Sequence, residues 1–365
     1  MKVSVIGSGS WGTAFSRLLV RRGHEVQTLT MTRAEADELN ARHENVHFLP
    51  GVSLPEQLTF VAMEEAELAE SDIIVYAVPT QVVREVAKWV SARRLPAALQ
   101  LSLAKGLERG TLKRPTEIIA EETGDVTAAL SGPNHAEEVA RDMPTASVIA
   151  CSDAGMAGKL QRAVNAETFR VYTNEDVVGV EFCGAAKNPI ALAVGMADGL
   201  GYGDNTRATL MTRSLAEIAR LGMKLGADFP TFAGLAGIGD LIATCTSRHS
   251  RNRRAGELIA QGHDPATVES MIGQVVEGIP TVYALHDLSR RMGVDMPVTG
   301  AVYEAVAHGV SPRELVGSLM GRELTSEDAR ADLWTLIAQL RQTAQIAQKT
   351  AKQTAKRTVR RLYRS

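Results

Sequence analysis

Two lysines stand in sequence contexts that favour proton-transfer chemistry. Lys105 follows a predicted strand in the run SLAKGL, and ligands of open parallel sheets bind beyond the carboxyl ends of strands. Lys187 stands among small apolar residues in CGAAKNP, where burial would lower its pKa towards neutrality, as suits a general acid or base. Plainer alternatives stay open, namely a solvated Lys105 and a Lys187 side chain that extends to solvent.

Three further segments carry polar groups that could bind or polarise a substrate. The run SGPNHA at 131–136 ends another predicted strand and offers hydroxyl, amide and backbone groups. Asp240 could hold a substrate hydroxyl or a lysine ammonium, or it could simply cap a helix. Ser250, Arg251 and Asn252 suit a phosphomonoester, because arginine matches its oxygens bidentately. The alternative for these three is a basic helix start on the surface.

The chain begins with a glycine pattern typical of a dinucleotide-binding loop. Gly7, Gly9 and Gly12 form G-x-G-x-x-G directly after a predicted strand and at the start of a predicted helix, as this motif requires. The first glycine permits the tight turn, the second lets a pyrophosphate approach the backbone, and the third allows close helix–strand packing. The free N–H groups of the helix start favour phosphate. The alternative is a tight turn without a ligand.

The segment after the second predicted strand lacks the acid that usually holds the ribose of NAD about 20 residues beyond the glycines. Residues 26–33 contain hydroxyls and Arg33 but no acid. Arg33 could pair with the 2′-phosphate of NADP, or it could be a solvated residue at a helix start. We therefore expect the protein to use NADPH at least as readily as NADH.

The elements that must position these residues change character near residue 175. Before it, apolar runs alternate with helical patterns, which predicts right-handed βαβ units and a mostly parallel sheet. After it, apolar residues recur at helical spacing, and no strand is predicted up to Met320. The predicted strands are 2–6, 25–29, 58–62, 72–78, 99–103, 127–130, 146–151 and 169–173. The predicted helical stretches of the second half are 177–196, 206–225, 232–245 and 282–292.

The predicted fold class is α/β, in two domains. Residues 1–178 form a Rossmann-type dinucleotide-binding domain, and residues 179–324 form an all-helical substrate domain that carries catalytic groups. The length of 365 residues agrees with two domains. Residues 325–365 form a basic C-terminal extension.

Composition excludes several classes of protein. With 45% apolar and 22% charged residues, the chain resembles soluble globular proteins. No stretch approaches the roughly 18 apolar residues of a membrane span, and no secretory signal is evident. Cys151, Cys183 and Cys245 match no metal or redox spacing, so we expect no metal. Sparse free thiols suit a reducing cytoplasm.

The net charge of −2 hides a basic end. Residues 333–365 hold eight basic residues and no acid, which leaves 32 basic and 42 acidic residues elsewhere. The acidic body argues against general affinity for nucleic acid. The extension can form an amphipathic helix, and three interpretations stay open. It could be a solvated extension, it could dock on the acidic body or on a second subunit, or it could contact an anionic membrane weakly.

Taken together, these motifs resemble those of bacterial NAD(P)-dependent glycerol-3-phosphate dehydrogenases. The resemblance runs from Lys2 to about Leu319. It implies an enzyme that interconverts dihydroxyacetone phosphate and sn-glycerol 3-phosphate with NADPH or NADH, and thereby supplies the phospholipid backbone. The chain departs from the family's sequence pattern at residues 29–33, directly after the second predicted strand. The resemblance rests on GSGSWGTA, LAKGLE, SGPNHAEEVA, GAAKNPIALAVGMADGLGYGDNTRATLMTR, GLAGIGDLIATCTSRHSRNRR and IGQVVEG.

The resemblance also implies roles for individual residues. Lys187 is the proton donor or acceptor, and Lys105 and Asp240 complete the catalytic group. The implied substrate-binding residues are Lys105, Gly132, Asn134, Lys187, Asn188, Asp240, Thr244, Ser250, Arg251 and Asn252. The expected cofactor-binding residues, with Arg33 included on chemical grounds, are Gly7, Gly9, Ser10, Trp11, Gly12, Arg33, Lys105, Ala136, Arg251, Val275 and Glu277.

Two other functions stay open. One is another two-domain, NADP-dependent dehydrogenase that acts on a 2-hydroxy acid or on ketopantoate. The other is a non-catalytic NADP-sensing regulator. Arg251 and Asn252 favour a phosphorylated substrate over a 2-hydroxy acid or ketopantoate. A non-catalytic regulator would not need Lys105, Lys187 and Asp240 to lie close together. We expect a homodimer, because symmetric dimers are the commonest oligomers.

Overall fold

The computed structural model describes residues 1–94 and 98–324 of the chain. Residues 1–319 form one compact unit. The basic extension predicted over 325–365 lies outside the described residues. The last strand ends at Asn174, and a long helix begins at Val177. The domain boundary at 178/179 stays a prediction, although this change in secondary structure lies close to it.

An eight-stranded sheet forms the first half. Its strand order is β3-β2-β1-β4-β5-β6-β7-β8, and all neighbours are parallel except β6 and β7. The eight predicted runs correspond to these strands one for one, so the mostly parallel sheet is confirmed. The strands are β1 (Lys2–Ile6), β2 (Glu25–Thr30), β3 (Thr59–Ala62), β4 (Ile73–Tyr76), β5 (Leu99–Ser102), β6 (Thr127–Ser131), β7 (Thr145–Ala150) and β8 (Phe169–Asn174).

Both faces of the sheet are covered by helices. Alternate residues of the central strands point to opposite faces, so Val75 of β4 joins one apolar cluster and Tyr76 joins another. Phe15 of α1 packs in the first cluster, and Val90 of α3 packs in the second. This double coverage explains why the central strands are nearly continuous apolar runs. The helices of this half are α1 (Ser10–Arg21), α2 (Arg33–Arg42), α3 (Val83–Ser91), α4 (Pro115–Thr123), α5 (Ala136–Val139) and α6 (Ala154–Val164).

The second half is helical, and the described residues from 176 to 320 contain no strand. Its central helix, α7 (Val177–Gly199), is buried along nearly its whole length. The prediction of a helical second half is therefore confirmed. The remaining helices are α8 (Asp204–Lys224), α9 (Phe229–Phe232), α10 (Asp240–Thr246), α11 (Arg251–Ala260), α12 (Pro265–Ile272), α13 (Gly278–Met292), α14 (Pro297–His308) and α15 (Pro312–Met320).

One predicted helical stretch, 232–245, is broken. A π-helical turn at Leu235–Gly239 separates α9 from α10, and Gly237 within it has non-helical backbone angles. A Cβ atom at Gly237 would lie 2.2 Å from the Phe232 carbonyl oxygen, so only glycine fits there. The break makes Asp240 the first residue of a new helix.

By length and composition alone, α7 could cross a membrane, with a mean hydropathy of 1.4 in its most apolar window. This differs from the expectation from sequence, in which no stretch approaches the length and apolar content of a membrane span. However, 89% of that window is buried inside the protein. The stretch Phe229–Thr246 also meets the criterion, but it is broken at Gly237. The high burial of α7 is typical of a core helix.

Candidate functional site

A buried carboxylate, Asp240, joins the two lysines that the sequence singled out. Its Oδ2 atom accepts a hydrogen bond from Lys105 Nζ at 2.9 Å, and its Oδ1 atom accepts one from Lys187 Nζ. Lys105 follows β5, Lys187 lies on α7, and Asp240 begins α10. The structure therefore brings together three elements that are distant in the chain.

Burial controls the protonation of this cluster. The Lys187 side chain is almost enclosed, and burial lowers its pKa to about 8, with Asp240 opposing and Lys105 assisting that shift. Burial opposes ionisation of Asp240, yet the charges of Lys105 and Lys187 hold its pKa below the usual range. An amine that titrates near neutral pH beside a fixed carboxylate can both donate and accept a proton. Lys187 meets this requirement.

The neighbours of both ammonium groups fix their orientation. Lys105 Nζ donates to the Gly132 carbonyl oxygen and to Asn134 Oδ1, each at 2.9 Å. Lys187 Nζ donates to Thr244 Oγ1 at 2.7 Å. Lys105 thus has three acceptors, whereas Lys187 has two among the described residues. Because an ammonium carries three protons, one proton of Lys187 is not engaged by these two acceptors.

Two asparagines link this cluster to the helices behind it. Asn188 Nδ2 donates to the Lys105 carbonyl oxygen at 2.9 Å, and Asn252 Nδ2 donates to Asn188 Oδ1 at 3.0 Å. Asn252 Oδ1 accepts from the Gly278 N–H at 2.8 Å. Both amides therefore have protein partners in this structure, and they act on the backbone beside Lys105.

The start of α11 presents exposed positive charge from Arg251 and Arg254. Ser250 caps this helix, and its Oγ accepts from the Arg253 N–H at 3.2 Å. Arg251 is exposed and donates from Nη1 to the Val275 carbonyl oxygen at 3.3 Å. A helix N-terminus beside an arginine is a favourable place for an anion.

The glycine loop fits the pyrophosphate of a dinucleotide. A Cβ atom at Gly7, where φ is +112°, would lie 2.5 Å from the Ala77 carbonyl oxygen, and one at Gly12 would lie 1.9 Å from the Gly7 carbonyl oxygen. These two glycines are required by the protein's own packing. A Cβ atom at Gly9 would meet nothing within 4 Å, and α1 has no side-chain cap and no acid in its first turn. The loop therefore offers both space and N–H donors for phosphate.

Two other expected cofactor residues are Trp11, within this loop, and Ala136. The Trp11 ring packs against Phe15, at 5.6 Å between ring centroids, and against Phe169, at 6.3 Å. Ala136 is buried at the start of α5. The cofactor roles of Trp11 and Ala136 stay predictions.

A segment of the helical half closes on the glycine loop. Ser10 Oγ donates to Gln274 Oε1 at 3.3 Å, and Glu277 Oε1 accepts from the Thr80 N–H at 2.8 Å. Burial raises the pKa of Glu277 to about 7, and Val275 beside it is exposed. The segment 274–277 thus contacts the glycine loop and the residues that follow β4. Sequence reasoning missed Gln274 and Thr80, because an isolated glutamine or threonine gives no signal.

The structure places Arg33 in ion pairs with its own surroundings. Arg33 Nη1 lies 2.6 Å from Glu65 Oε1, and its Nε lies 3.9 Å from Asp37 Oδ2. Its expected contact with the cofactor stays a prediction. Glu35 lies two residues beyond the segment 26–33, and its carboxylate accepts hydrogen bonds from Ser8 Oγ and from the Met31 N–H.

Within the described residues, no group of three or more His, Cys, Asp or Glu side chains could hold a metal ion. Cys151, Cys183 and Cys245 are buried free thiols.

Two family models match this chain. One describes the N-terminus of NAD-dependent glycerol-3-phosphate dehydrogenase and matches residues 2–157. The other describes the C-terminus of the same enzyme and matches residues 176–317. Together they cover most of the described residues.

Curated relatives and solved structures agree with these models. A protein of Pelotomaculum thermopropionicum named glycerol-3-phosphate dehydrogenase (NAD(P)+) is 49% identical over 334 residues, which are 89% of this chain and 95% of that protein. A Bacillus cereus protein of the same name is 45% identical over 88% of this chain and 96% of its own length. The crystal structure of glycerol-3-phosphate dehydrogenase from Coxiella burnetii is similar with a TM-score of 0.83 and 34% identity, over 88% of this chain and 99% of that one.

We expect Gly9→Ala and Gly12→Ala to separate ligand binding from folding. Gly9→Ala should fold with a melting temperature close to that of the wild type but bind NAD+ and NADP+ at least about tenfold more weakly, because its methyl group enters the space for pyrophosphate. Gly12→Ala should lower the melting temperature, because its methyl group meets the Gly7 carbonyl oxygen. Calorimetric titration and thermal unfolding measure both effects. Unchanged dinucleotide binding in Gly9→Ala would show that the loop holds no phosphate.

Proposed function

The chain belongs to the NAD-dependent glycerol-3-phosphate dehydrogenase family, and we propose that Lys105, Asp240 and Lys187 form its catalytic centre. It is an oxidoreductase that reduces dihydroxyacetone phosphate to sn-glycerol 3-phosphate with NAD(P)H, reversibly. The observation that carries the site assignment is the buried carboxylate of Asp240 between two lysine ammonium groups.

Lys187 provides the proton. A nicotinamide dinucleotide held by the glycine loop would supply a hydride to the carbonyl carbon of the substrate, and negative charge would develop on the carbonyl oxygen. The ammonium of Lys187 stabilises this charge and donates its proton to that oxygen. In the reverse direction the neutral amine accepts the hydroxyl proton of glycerol 3-phosphate. A pKa of about 8 allows Lys187 to take both forms near neutral pH.

Lys105 and Asp240 prepare the site for this step. Asp240 holds Lys187 in place and keeps the buried amine protonated. Lys105, held by Asp240, Gly132 and Asn134, adds a second fixed positive charge towards the substrate oxygens. Fixed charges stabilise a developing oxyanion without reorganisation during the reaction.

Arg251 and the N–H groups at the start of α11 hold the substrate phosphate in this proposal. A phosphate bound there fixes the reacting carbon near Lys187, so that remote binding energy contributes to orientation. Ser250 contributes by capping α11, and Asn252 by positioning Asn188 beside Lys105. Thr244 contributes by orienting Lys187.

The glycine loop, from Gly7 to Gly12, holds the dinucleotide in this proposal. Ser10, Trp11 and Ala136 contribute from the side of the sheet. Val275, Glu277 and Arg251 contribute from the helical half, and Lys105 contributes from the end of β5. The support is the space at Gly9 and the uncapped start of α1.

A ketopantoate or 2-hydroxy acid substrate fits this chain less well. A ketopantoate reductase from Ralstonia eutropha is similar with a TM-score of 0.58 and 16% identity, which shows the fold alone. Arg251 at a helix start favours a phosphorylated substrate. A non-catalytic NADP sensor has no need of a buried Lys187 paired with Asp240.

We also propose that the enzyme acts in the cytoplasm as a homodimer. Nucleic acid is not among its proposed partners. Free buried cysteines suit a reducing compartment, and a dimer is the commonest symmetric assembly. The weak membrane contact considered for residues 325–365 stays one of three interpretations of that extension.

Lys187→Met should abolish turnover but not cofactor binding. Methionine fills similar space but donates no proton, so we expect kcat to fall at least about 100-fold. The dissociation constant for NAD+, measured by calorimetry, should stay within about threefold, because the dinucleotide loop lies elsewhere. The matched control is Lys159→Ala, an exposed lysine on α6, which should keep wild-type kcat. More than about a tenth of wild-type turnover in Lys187→Met would contradict the proton-donor role.

Arg251→Ala should weaken recognition of the phosphate. The KM for dihydroxyacetone phosphate should rise about 10- to 100-fold, because a charge-assisted hydrogen bond contributes about 1.5–3 kcal/mol. Reduction of unphosphorylated dihydroxyacetone should change much less. Arg248→Ala, which removes an exposed arginine three residues earlier, is the control. An unchanged KM in Arg251→Ala would place the phosphate elsewhere.

A further inference from the structure

We propose that Glu35 selects NAD(H) over NADP(H). Its carboxylate would accept hydrogen bonds from the hydroxyls of the adenosine ribose and repel a 2′-phosphate. This inference rests on the proposed role of the glycine loop as the dinucleotide site. It reverses the cofactor preference expected from the sequence.

Glu35 bridges the two backbone segments between which the ribose of a dinucleotide lies. One carboxylate oxygen accepts a hydrogen bond from Ser8 Oγ, within the glycine loop, and the other accepts from the Met31 N–H at 3.3 Å, directly after β2. In dinucleotide-binding folds, the acid that binds the ribose comes from the end of the second strand. Glu35 comes from the first turn of α2 and reaches the same place.

Capping of α2 does not by itself explain where the Glu35 side chain lies. Thr32 caps α2 and accepts from the Glu35 N–H at 3.2 Å. In a capping box, the glutamate side chain would return to the N–H of the cap residue itself. The Glu35 side chain instead reaches Met31 and, across 27 residues of sequence, Ser8.

The arginine expected to hold a 2′-phosphate lies at the surface between two carboxylates. Arg33, the residue expected to hold a 2′-phosphate, contacts Glu65 and Asp37. A 2′-phosphate at the end of β2 would therefore meet the carboxylate of Glu35, and Arg33 would have to leave Glu65 to pair with it. The two hydroxyls of the NAD ribose, in contrast, carry no charge, and a carboxylate can accept a hydrogen bond from each.

The test compares Glu35→Gln with Glu38→Gln. Both remove one charge from α2, but Glu38 pairs with Arg42 on the outer side of the helix. Calorimetry with NAD+ and with NADP+, without substrate, gives the affinity ratio directly. The ratio of kcat/KM for NADH and NADPH, with dihydroxyacetone phosphate, gives a second readout.

We expect wild-type protein to bind NAD+ at least about tenfold more tightly than NADP+. Glu35→Gln should shift this ratio about tenfold or more towards NADP+, whereas Glu38→Gln should shift it less than about twofold. Arg33→Ala should leave the preference for NAD+ in place. An unshifted ratio in Glu35→Gln, or a wild-type preference for NADP+ that Arg33→Ala removes, would overturn the inference. Failure of the wild type to bind either dinucleotide would overturn the proposed cofactor site itself.

Discussion

The carboxylate of Asp240 is the interaction on which this site depends. Two ammonium groups cannot be buried side by side without a compensating charge, because each loses its hydration and repels the other. Asp240 accepts a hydrogen bond from each, one on each oxygen. The arrangement keeps Lys187 charged in an enclosed site while leaving its pKa low enough for proton exchange near neutral pH.

Glycines allow the backbone to bring these groups together. Gly237 breaks the helix before Asp240, so that this carboxylate begins α10 and faces the lysines. Close contact between α7 and α11 depends on Gly195 and Gly256, where a Cβ atom would lie 1.9 Å from the Arg253 carbonyl oxygen and 2.1 Å from the Leu192 carbonyl oxygen. This close approach places Asn252 beside Asn188. Fold and chemistry are therefore linked through a few positions that tolerate no side chain.

Much of this could be predicted from local sequence. All eight strands are predictable because each is a short apolar run between helical patterns. Lys105 and Lys187 are recognisable because a lysine after a strand or among small residues is unusual. Other features depend on tertiary contacts that no local pattern encodes. The amide of Asn252 is occupied by Asn188 and Gly278, and Glu35 reaches Ser8 from a position beyond the usual spacing. The broken helix at Gly237 was missed because its apolar spacing continues across the break.

The most direct test of the role of Asp240 is the pH dependence of kcat/KM for reduction of dihydroxyacetone phosphate, measured in wild type and in Asp240→Asn. In the wild type we predict a fall in kcat/KM as the pH rises through about 8, because Lys187 then loses the proton it must donate. In Asp240→Asn the fall should occur at a pH lower by at least about one unit, because the charge that raises the pKa of Lys187 is gone. A fall at the same pH in both proteins would contradict the claim that Asp240 controls the protonation of Lys187.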